Sequence, residues 1–462
     1  MKDYKVVLQK VRPPERDCPL QQPELTDETI LERKQKLLCA MRAHGWDQLI
    51  VYGDIEHGSN FEYLVGFLPR FEEALLLLDG DGACTLVLGN ENLNKGTKAR
   101  VPAMIVHAPQ FSLPNQPCGE KLPLAEILRQ AGVRQNAVIG LAGWKLFTNP
   151  NEDTEQMSDV PGYILQALQK AGVNSRFVNA TGIFIGENGA RTTNNANEAA
   201  HYEFAAALAS DCVLDAMDLV ELGVPEWKLG EALQQRGQHT SIVTIAASGP
   251  RFIKGNMYPT SRTVKTGDPI SLTVGYRGGS SSRCGVAVRD TNELPKEQQD
   301  YLQAVAMPYF AAYAAWMENI RIGMQGGEMF ELIDTILPRS RYGWKLCPGH
   351  LTGEEEWMSS PIYENSKETL KSGMLLQIDI IPSVPSYAGT CAESTVLLAD
   401  EDLRSEIGSQ YPELWQRIEH RRAYIHDELG IDVPEELLPM CSTVAYLRPC
   451  LLDHQKALCL KK

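Results

Sequence analysis

The sequence predicts two domains, an α/β domain at the amino terminus followed by an α+β domain with an antiparallel sheet. Helix and strand patterns alternate up to about residue 185, as is typical of an α/β domain. A long helical pattern follows, and apolar strand patterns then recur at 267–290, 374–381 and 394–399. A chain of 462 residues is long enough for two or three domains.

Changes in these patterns give the domain boundaries. Residues 1–25 are polar and rich in proline, and we expect them to form an arm on the surface or on a partner subunit. Residues 26–185 form the α/β domain and residues 186–400 the α+β domain. Residues 401–462 form a carboxy-terminal extension, which is predicted to be helical over 410–429 and irregular beyond.

Local sequence signals predict the main helices and strands of both domains. Thr26 is the expected N-cap of a helix that runs to about His44. The segment EALLLLDGDGACTLVLG predicts a hairpin with its turn at 79–82. The second domain opens with a long helix, which Gly223 and Pro225 end. Residues 267–290 are predicted to form a second hairpin, beside the strands at 374–381 and 394–399.

Composition excludes several classes of protein. The formal net charge of −15 argues against a nucleic-acid partner or an anionic membrane, because phosphate binding needs a basic surface. No apolar run approaches the ~20 residues that span a bilayer, and the first residues lack the apolar region of a signal peptide. The 11 cysteines show no CxxC pairing. We therefore expect a cytoplasmic protein with reduced thiols.

Three residues near the predicted strands of the second domain suggest a site. His350 follows a Pro-Gly turn, Asp379 lies in the apolar run LLQIDII, and Glu393 precedes a strand. One imidazole and two carboxylates on strands are typical of a metal site or an acid/base pocket. A buried Asp379 needs a partner, because burying a bare carboxylate is costly. A structural histidine and surface carboxylates remain the alternative interpretation.

The order of these features resembles the pita-bread fold of the creatinase, aminopeptidase P, prolidase and methionine aminopeptidase family. In order along the chain, a strand is followed by a bulged hairpin and then by a Gly-His pair. Next come a strand that begins after Gly-Met and carries an acidic residue, and a strand that follows an acidic residue. The family's metal ligands run Asp, Asp, His, Glu, Glu, with the two Asp 11 residues apart. The resemblance places Thr273 and Cys284 at the two Asp positions. It places His350, Asp379 and Glu393 at the remaining three.

The resemblance also implies substrate contacts and an assembly. The family's catalytic histidine falls on Asn256, and its second histidine falls on Trp357. Arg70 aligns with an arginine of creatinase that grips the substrate carboxylate across a dimer. The resemblance therefore implies a homodimer that takes a small-molecule substrate. His350, Asp379 and Glu393 would be catalytic, and Arg70, Asn256, Thr273 and Trp357 would bind the substrate.

The altered ligand positions predict that no dinuclear metal centre forms. Thr273 is a poor ligand, so one metal of the pair would lack its own carboxylate. No cofactor is expected, although a single zinc or iron ion could be held by four residues, Cys284, His350, Asp379 and Glu393. Two alternatives stay open. Cys284 could be a small core side chain, and Arg277 or Arg283 could pair with the acids in place of a metal charge.

Three functions are compatible with these residues. The first is a creatinase-like or aminopeptidase P-like hydrolase, which acts on a C–N bond of a small polar amide, amidine or dipeptide-like substrate without the usual dinuclear centre. The second is a mononuclear zinc or iron metallohydrolase that resembles an Xaa-Pro peptidase. The third is a non-catalytic relative that binds a ligand or a partner.

Overall fold

The computed structural model describes residues 4–116 and 122–461. The chain divides into two compact units, Leu25–Thr192 and the combination of Met1–Glu24 with Thr193–Lys462. We call these the amino-terminal unit and the carboxy-terminal unit. The first strand, β1 (Val6–Lys10), belongs to the carboxy-terminal unit. The sequence patterns placed the boundary near residue 185, whereas the amino-terminal unit extends to Thr192.

The amino-terminal unit contains a mixed six-stranded sheet of order β5-β4-β3-β2-β6-β7. Its strands are β2 (Gln48–Gly53), β3 (Ala74–Asp79), β4 (Cys84–Leu88), β5 (Met104–His107), β6 (Val138–Ala142) and β7 (Arg176–Asn179). Its helices are α1 (Asp27–His44), α2 (Ser59–Val65), α3 (Leu124–Gln130), α4 (Gly162–Ala171) and α5 (Gly182–Ile185). β3 pairs antiparallel with β2 and β4, and the other pairings are parallel.

Two local predictions in this unit are confirmed. The Thr26 side chain accepts a hydrogen bond from the Thr29 N–H and so caps α1. Gly45, with φ at +67°, ends the same helix in the left-handed conformation that glycine adopts without strain. Strands β3 and β4 form the expected hairpin, in which the Gly82 N–H donates to the Asp79 carbonyl oxygen at 2.8 Å.

The carboxy-terminal unit contains eight helices among the described residues. They are α6 (Ala196–Asp218), α7 (Glu226–Leu233), α8 (Pro250–Ile253), α9 (Met307–Asn319), α10 (Gly326–Ile336), α11 (Arg339–Tyr342), α12 (Glu401–Gln410) and α13 (Pro412–Asp427). Its further strands are β8 (Ile245–Ser248), β9 (Pro269–Tyr276), β10 (Gly279–Val286), β11 (His350–Leu351), β12 (Leu375–Ile378), β13 (Cys391–Leu398), β14 (Leu437–Pro439) and β15 (Lys456–Leu460).

An antiparallel sheet forms the centre of this unit, with strand order β11-β12-β13-β10-β9-β8 and β14 paired to β13. The predicted hairpin at 267–290 is confirmed as β9 and β10. Helix α6 packs on these two strands, and Asn195 caps it in a capping box with Glu198. Gly278 allows the close approach of helix and hairpin, because a Cβ there would lie 2.7 Å from the Tyr202 carbonyl oxygen.

The predicted irregular tail is wrong in part. Beyond α13 the chain forms β14 and β15, and β15 pairs antiparallel with β1. Each of these pairings joins segments far apart in the sequence, and short strands of this kind carry no local signal that sets their partner. None of the helices in the described residues combines the length and apolarity that crossing a bilayer requires.

Candidate functional site

Polar side chains share one face of the central sheet. Ser282 of β10 lies opposite Glu393 of β13 and opposite Thr273 of β9, and Cys284 follows two residues after Ser282. Successive side chains of a strand point to opposite faces, so residues in register and residues two apart share a face. Thr273, Cys284 and Glu393 therefore lie on the same face of the sheet.

The same register extends this face to β11 and β12. Gln377 of β12 lies opposite Thr395 of β13 on one side and opposite His350 of β11 on the other. The side chains confirm this arrangement, since Thr395 Oγ1 donates to Gln377 Oε1 at 2.8 Å. Asp379 follows two residues after Gln377, and its Oδ2 lies 3.9 Å from His350 Nε2. All five positions that the family uses for metal ligands thus lie on one face.

His350 is fully buried, and its two ring nitrogens have different surroundings. Nδ1 lies 3.2 Å from the Leu351 carbonyl oxygen, which can only accept, so Nδ1 carries a hydrogen. Nε2 lies 3.4 Å from Glu356 Oε1 and makes no well-aligned hydrogen bond with the described residues. Trp357 stacks on the imidazole with a ring-centroid distance of 4.1 Å. Nε2 is therefore the atom that can exchange a proton or bind a ligand.

Burial and mutual repulsion alter the acidity of this group. Burial raises the pKa of Asp379 to about 6, and the His350 charge opposes that effect. Burial, together with the charges of Asp379 and Glu356, raises the pKa of Glu393 well above its usual value. Burial lowers the pKa of His350, but Glu356 and Asp379 outweigh it, so the pKa of His350 is above its usual value.

Glu356 is the residue that sequence reasoning missed. His350, Glu356 and Glu393 each offer a ligand atom, and these atoms lie within 4.8 Å of one another. The run Glu354–Glu355–Glu356, shortly after His350, was an available signal, but a loop has no periodicity that tells which carboxylate turns inward. Glu393 Oε1 also accepts a hydrogen bond from Ser280 at 2.7 Å. Cys284 lies outside this group of three ligand residues.

The residues at the two Asp positions have other hydrogen-bond partners. Thr273 Oγ1 lies 2.6 Å from Ser282 Oγ. The Cys284 thiol lies 3.2 Å from Ser271 Oγ. A hydrogen bond with the Cys391 thiol lowers the pKa of Cys284. Cys284 also lines a cavity of 610 Å³.

The two arginines of this region do not replace a metal charge in the way the sequence suggested. Arg283 points away from the carboxylates, and its guanidinium donates to the carbonyl oxygens of Glu393 and Tyr446, each at 2.7 Å. Arg277 lies near Glu354 and Glu355, and its pKa is below its usual range because burial outweighs their charges. Neither arginine forms an ion pair with Asp379 or Glu393 among the described residues.

Two predicted substrate contacts are exposed side chains. Asn256 lies on a turn after α8, and its N–H donates to the Arg251 carbonyl oxygen at 2.8 Å. Arg70 lies in the amino-terminal unit, where its main chain exchanges two hydrogen bonds with the Asn92 side chain. The other two, Thr273 and Trp357, belong to the carboxy-terminal unit, where Thr273 contacts Ser282 and Trp357 stacks on His350.

Comparison with known proteins agrees with this arrangement of strands. Residues 200–400 match the model of metallopeptidase family M24. Residues 200–400 therefore form a domain of the M24 family. Its fold is the pita-bread fold of that family, as three solved structures show. No curated protein matches the chain in sequence.

The three structures share the M24 fold at low sequence identity. The Xaa-Pro dipeptidase of Bacillus anthracis has a TM-score of 0.61 at 18% identity, covering 81% of this chain and 96% of its own. The prolidase of Pyrococcus horikoshii OT3 has a TM-score of 0.62 at 18% identity, covering 80% and 95%. The X-Pro aminopeptidase of Thermotoga maritima MSB8 has a TM-score of 0.60 at 14% identity, covering 80% and 95%.

Proposed function

We propose that this M24 protein is a hydrolase that cleaves a C–N bond of a small polar amide, amidine or dipeptide-like substrate without a dinuclear metal centre. The observation that supports the proposal is the buried imidazole of His350, whose Nε2 faces carboxylates and makes no well-aligned hydrogen bond. Such a polar atom, buried and directed at other titratable groups, is a common feature of functional sites.

The charge balance of the site favours a positively charged ligand. Glu356, Asp379 and Glu393 bring three carboxylates together around one imidazole. No lysine or arginine of the described residues forms an ion pair with any of them. Excess negative charge in a buried place is relieved by protonation or by a bound cation. The cation would be either a positive group of the substrate or a metal ion.

The pKa directions suggest how the proton transfers divide. Asp379, with a pKa of about 6, is suited to accept a proton from an attacking water near neutral pH. His350, with a raised pKa, is suited to donate its Nε2 proton to the leaving nitrogen as the C–N bond breaks.

The donor set does not fit a dinuclear centre. Two divalent cations about 3.5–4 Å apart need several carboxylates, some of which bridge the pair. Thr273 and Cys284 stand at two of the family's ligand positions, and their side chains contact Ser282 and Ser271 respectively. The proposed mechanism therefore uses protein acids and bases.

A mononuclear metallohydrolase is the second candidate, and the group His350, Glu356 and Glu393 supports it. One imidazole and two carboxylates are suitable donors for a divalent zinc or iron ion. A metal held by these residues would supply a bound water of lowered pKa. The site would differ from the one that the sequence suggested, because Glu356 would serve as a ligand and Cys284 would not.

We also propose a homodimer in the cytoplasm. The ten described cysteines are all free thiols, which suits a reducing compartment. A dimer is expected from the resemblance to creatinase and aminopeptidase P, with Arg70 and Trp357 as substrate contacts. Light scattering at micromolar concentration checks the assembly, and a monomer would count against it.

The test is a hydrolysis screen with Xaa-Pro dipeptides, small amides and small amidines. We expect His350→Ala to lower kcat/KM by about 10²–10⁴-fold, as for the loss of a general acid. Asp379→Asn should lower it comparably. Glu331→Gln, which changes an exposed carboxylate of α10, is the matched control and should leave the rate unchanged.

Treatment with a chelator distinguishes the metal-free hydrolase from the mononuclear metallohydrolase. Turnover that survives a chelator supports the metal-free hydrolase, and turnover that returns with one metal per subunit supports the mononuclear candidate. Robust cleavage that requires two metals per subunit would overturn the proposal. Binding of these compounds without any turnover would indicate the third function, a non-catalytic relative.

A further inference from the structure

Two cysteines face each other across neighbouring strands of the central sheet. Cys284 of β10 and Cys391 of β13 are directly opposed in the antiparallel register. Both are buried, and both are free thiols. Directly opposed residues of an antiparallel pair have Cα atoms about 4.5–5.5 Å apart, and disulfides join Cα atoms about 4.4–6.8 Å apart. The register therefore brings these thiols within disulfide range with little movement of the backbone.

The two thiols differ in their access to solvent. Cys284 lines the cavity of 610 Å³, whereas Cys391 is not among the described residues that line it. The cavity wall combines apolar side chains, among them Phe252 and Leu294, with polar ones, among them Ser383 and Thr390. A cavity of this volume is in the range that admits small organic molecules. A reagent in the cavity would thus meet Cys284 first.

We propose that Cys284 and Cys391 form a dithiol that reacts with hydroperoxides and closes to a disulfide. Cys284 is the attacking thiol, because it lines the cavity, and Cys391 is the resolving thiol, because it lies directly opposite. The apolar side chains of the wall, such as Phe252 and Leu294, can contact the organic group of an organic hydroperoxide. This modification site is independent of the proposed hydrolase function, since it uses neither His350 nor the carboxylates.

The reaction balances in two steps. The Cys284 thiolate attacks the outer oxygen of a hydroperoxide ROOH, the O–O bond breaks, and the alcohol ROH leaves with a proton while Cys284 becomes a sulfenic acid. The Cys391 thiol then attacks the sulfenic sulfur and displaces water, which forms the disulfide. Two thiols are oxidised, and one hydroperoxide is reduced to an alcohol and water.

The full-length reduced protein tests the proposal without any variant. We expect brief treatment with cumene hydroperoxide to remove two hydrogen atoms from the intact protein. Peptide mapping under non-reducing conditions should then show a crosslink between the peptides that carry Cys284 and Cys391. A thiol reductant should reverse the change. Treated protein in which these two cysteines stay unlinked would overturn the proposal.

Variants assign the two roles. In Cys391→Ser, dimedone should label Cys284, because the sulfenic acid has no resolving thiol. In Cys284→Ser, neither the crosslink nor dimedone labelling of Cys391 should appear. Cys39→Ser removes an exposed thiol of the amino-terminal unit and is the control that should crosslink like the unaltered protein. Dimedone labelling of Cys391 in Cys284→Ser would contradict the assignment of Cys284 as the attacking thiol.

Discussion

Two largely buried groups of charged side chains in the carboxy-terminal unit differ in how their charges are matched. The arm cluster consists of Asp17, Glu203, Arg417 and Arg421. The site cluster consists of His350, Glu356, Asp379 and Glu393. The arm cluster has two carboxylates for two guanidinium groups, whereas the site cluster has three carboxylates for one imidazole.

Each side-chain hydrogen bond within the arm cluster joins an arginine to a carboxylate. Arg421 donates to the two oxygens of Asp17 at 2.6 and 2.9 Å and to Glu203 at 2.6 Å. Arg417 donates to the two oxygens of Glu203 at 2.9 and 2.8 Å. These bidentate pairs hold residue 17 of the amino-terminal segment against α6 and α13. Matched charges of this kind fix a structure.

The site cluster lacks such partners, and two of its carboxylates, Asp379 and Glu393, have raised pKa values instead. A protein that only needed stability would gain from replacing unmatched buried charges by apolar groups. The contrast indicates that the arm cluster stabilises the fold, and it supports a role in ligand binding or catalysis for the site cluster. The two clusters should therefore respond to substitution with opposite signs.

The largest effect is expected in the arm cluster. Arg421→Leu leaves Asp17 and Glu203 without their shared partner, and we expect a loss of about 3–5 kcal/mol in the free energy of unfolding. Urea denaturation measures it. Lys36→Ala, which removes a partly exposed ion pair with Glu32, is the control and should cost less than about 0.5 kcal/mol. A loss below about 1 kcal/mol for Arg421→Leu would show that the arm cluster does not hold the fold.

Asp379→Asn, in contrast, is expected to raise the free energy of unfolding at high pH. The folded pKa of about 6 exceeds the unfolded value of about 3.9, so the folded protein binds this proton more tightly. The stability from that proton is present below about pH 4 and is lost as pH rises through about 6. Asparagine cannot ionise, so the variant avoids the loss and should be about 2 kcal/mol more stable at pH 8.

Urea denaturation at pH 4 and pH 8, with a chelator present, measures this gain. The two proteins should have nearly equal stability at pH 4. A variant that is less stable than the unaltered protein at pH 8 would show that the Asp379 carboxylate is matched after all, and the contrast between the clusters would fail.

The smallest effect is expected for Trp357, whose ring stacks on the His350 imidazole. The Trp357 face lies against the His350 imidazole at a centroid distance of 4.1 Å and favours its protonated form. A cation–π contact contributes about 0.5–1 kcal/mol, so Trp357→Leu should lower the pKa of His350 by about half a unit. An NMR titration of the histidine resonances measures it. Trp415→Leu, remote from His350 in the sequence, serves as the control, and equal shifts in both variants would exclude a specific stack.

The family resemblance pointed to the strand residues of this group of side chains, whereas no local pattern pointed to Glu356. Thr273, Cys284 and Glu393 lie on strands, where a period of two places them on one face of the sheet. His350 and Asp379 extend the same register. Glu356 lies in a loop, where only the folded structure shows which side chain turns inward.

The ends of the chain were hardest to predict for a similar reason. The helix signals of 26–44 and 196–218 are local, because caps and apolar stripes lie within each element. The pairing of β1 with β15 joins opposite ends of the chain, and the bonds of Arg421 join α13 to the amino-terminal segment. No local pattern encodes such long-range partners.

The most direct test of the site cluster is its metal stoichiometry. Calorimetric titration of the chelator-treated protein with manganese, cobalt or zinc, checked by elemental analysis, counts the ions per subunit. Our account predicts at most one ion, with Glu356→Gln abolishing any binding, and no Xaa-Pro cleavage that depends on a second ion. Two ions per subunit together with robust Xaa-Pro cleavage would contradict it.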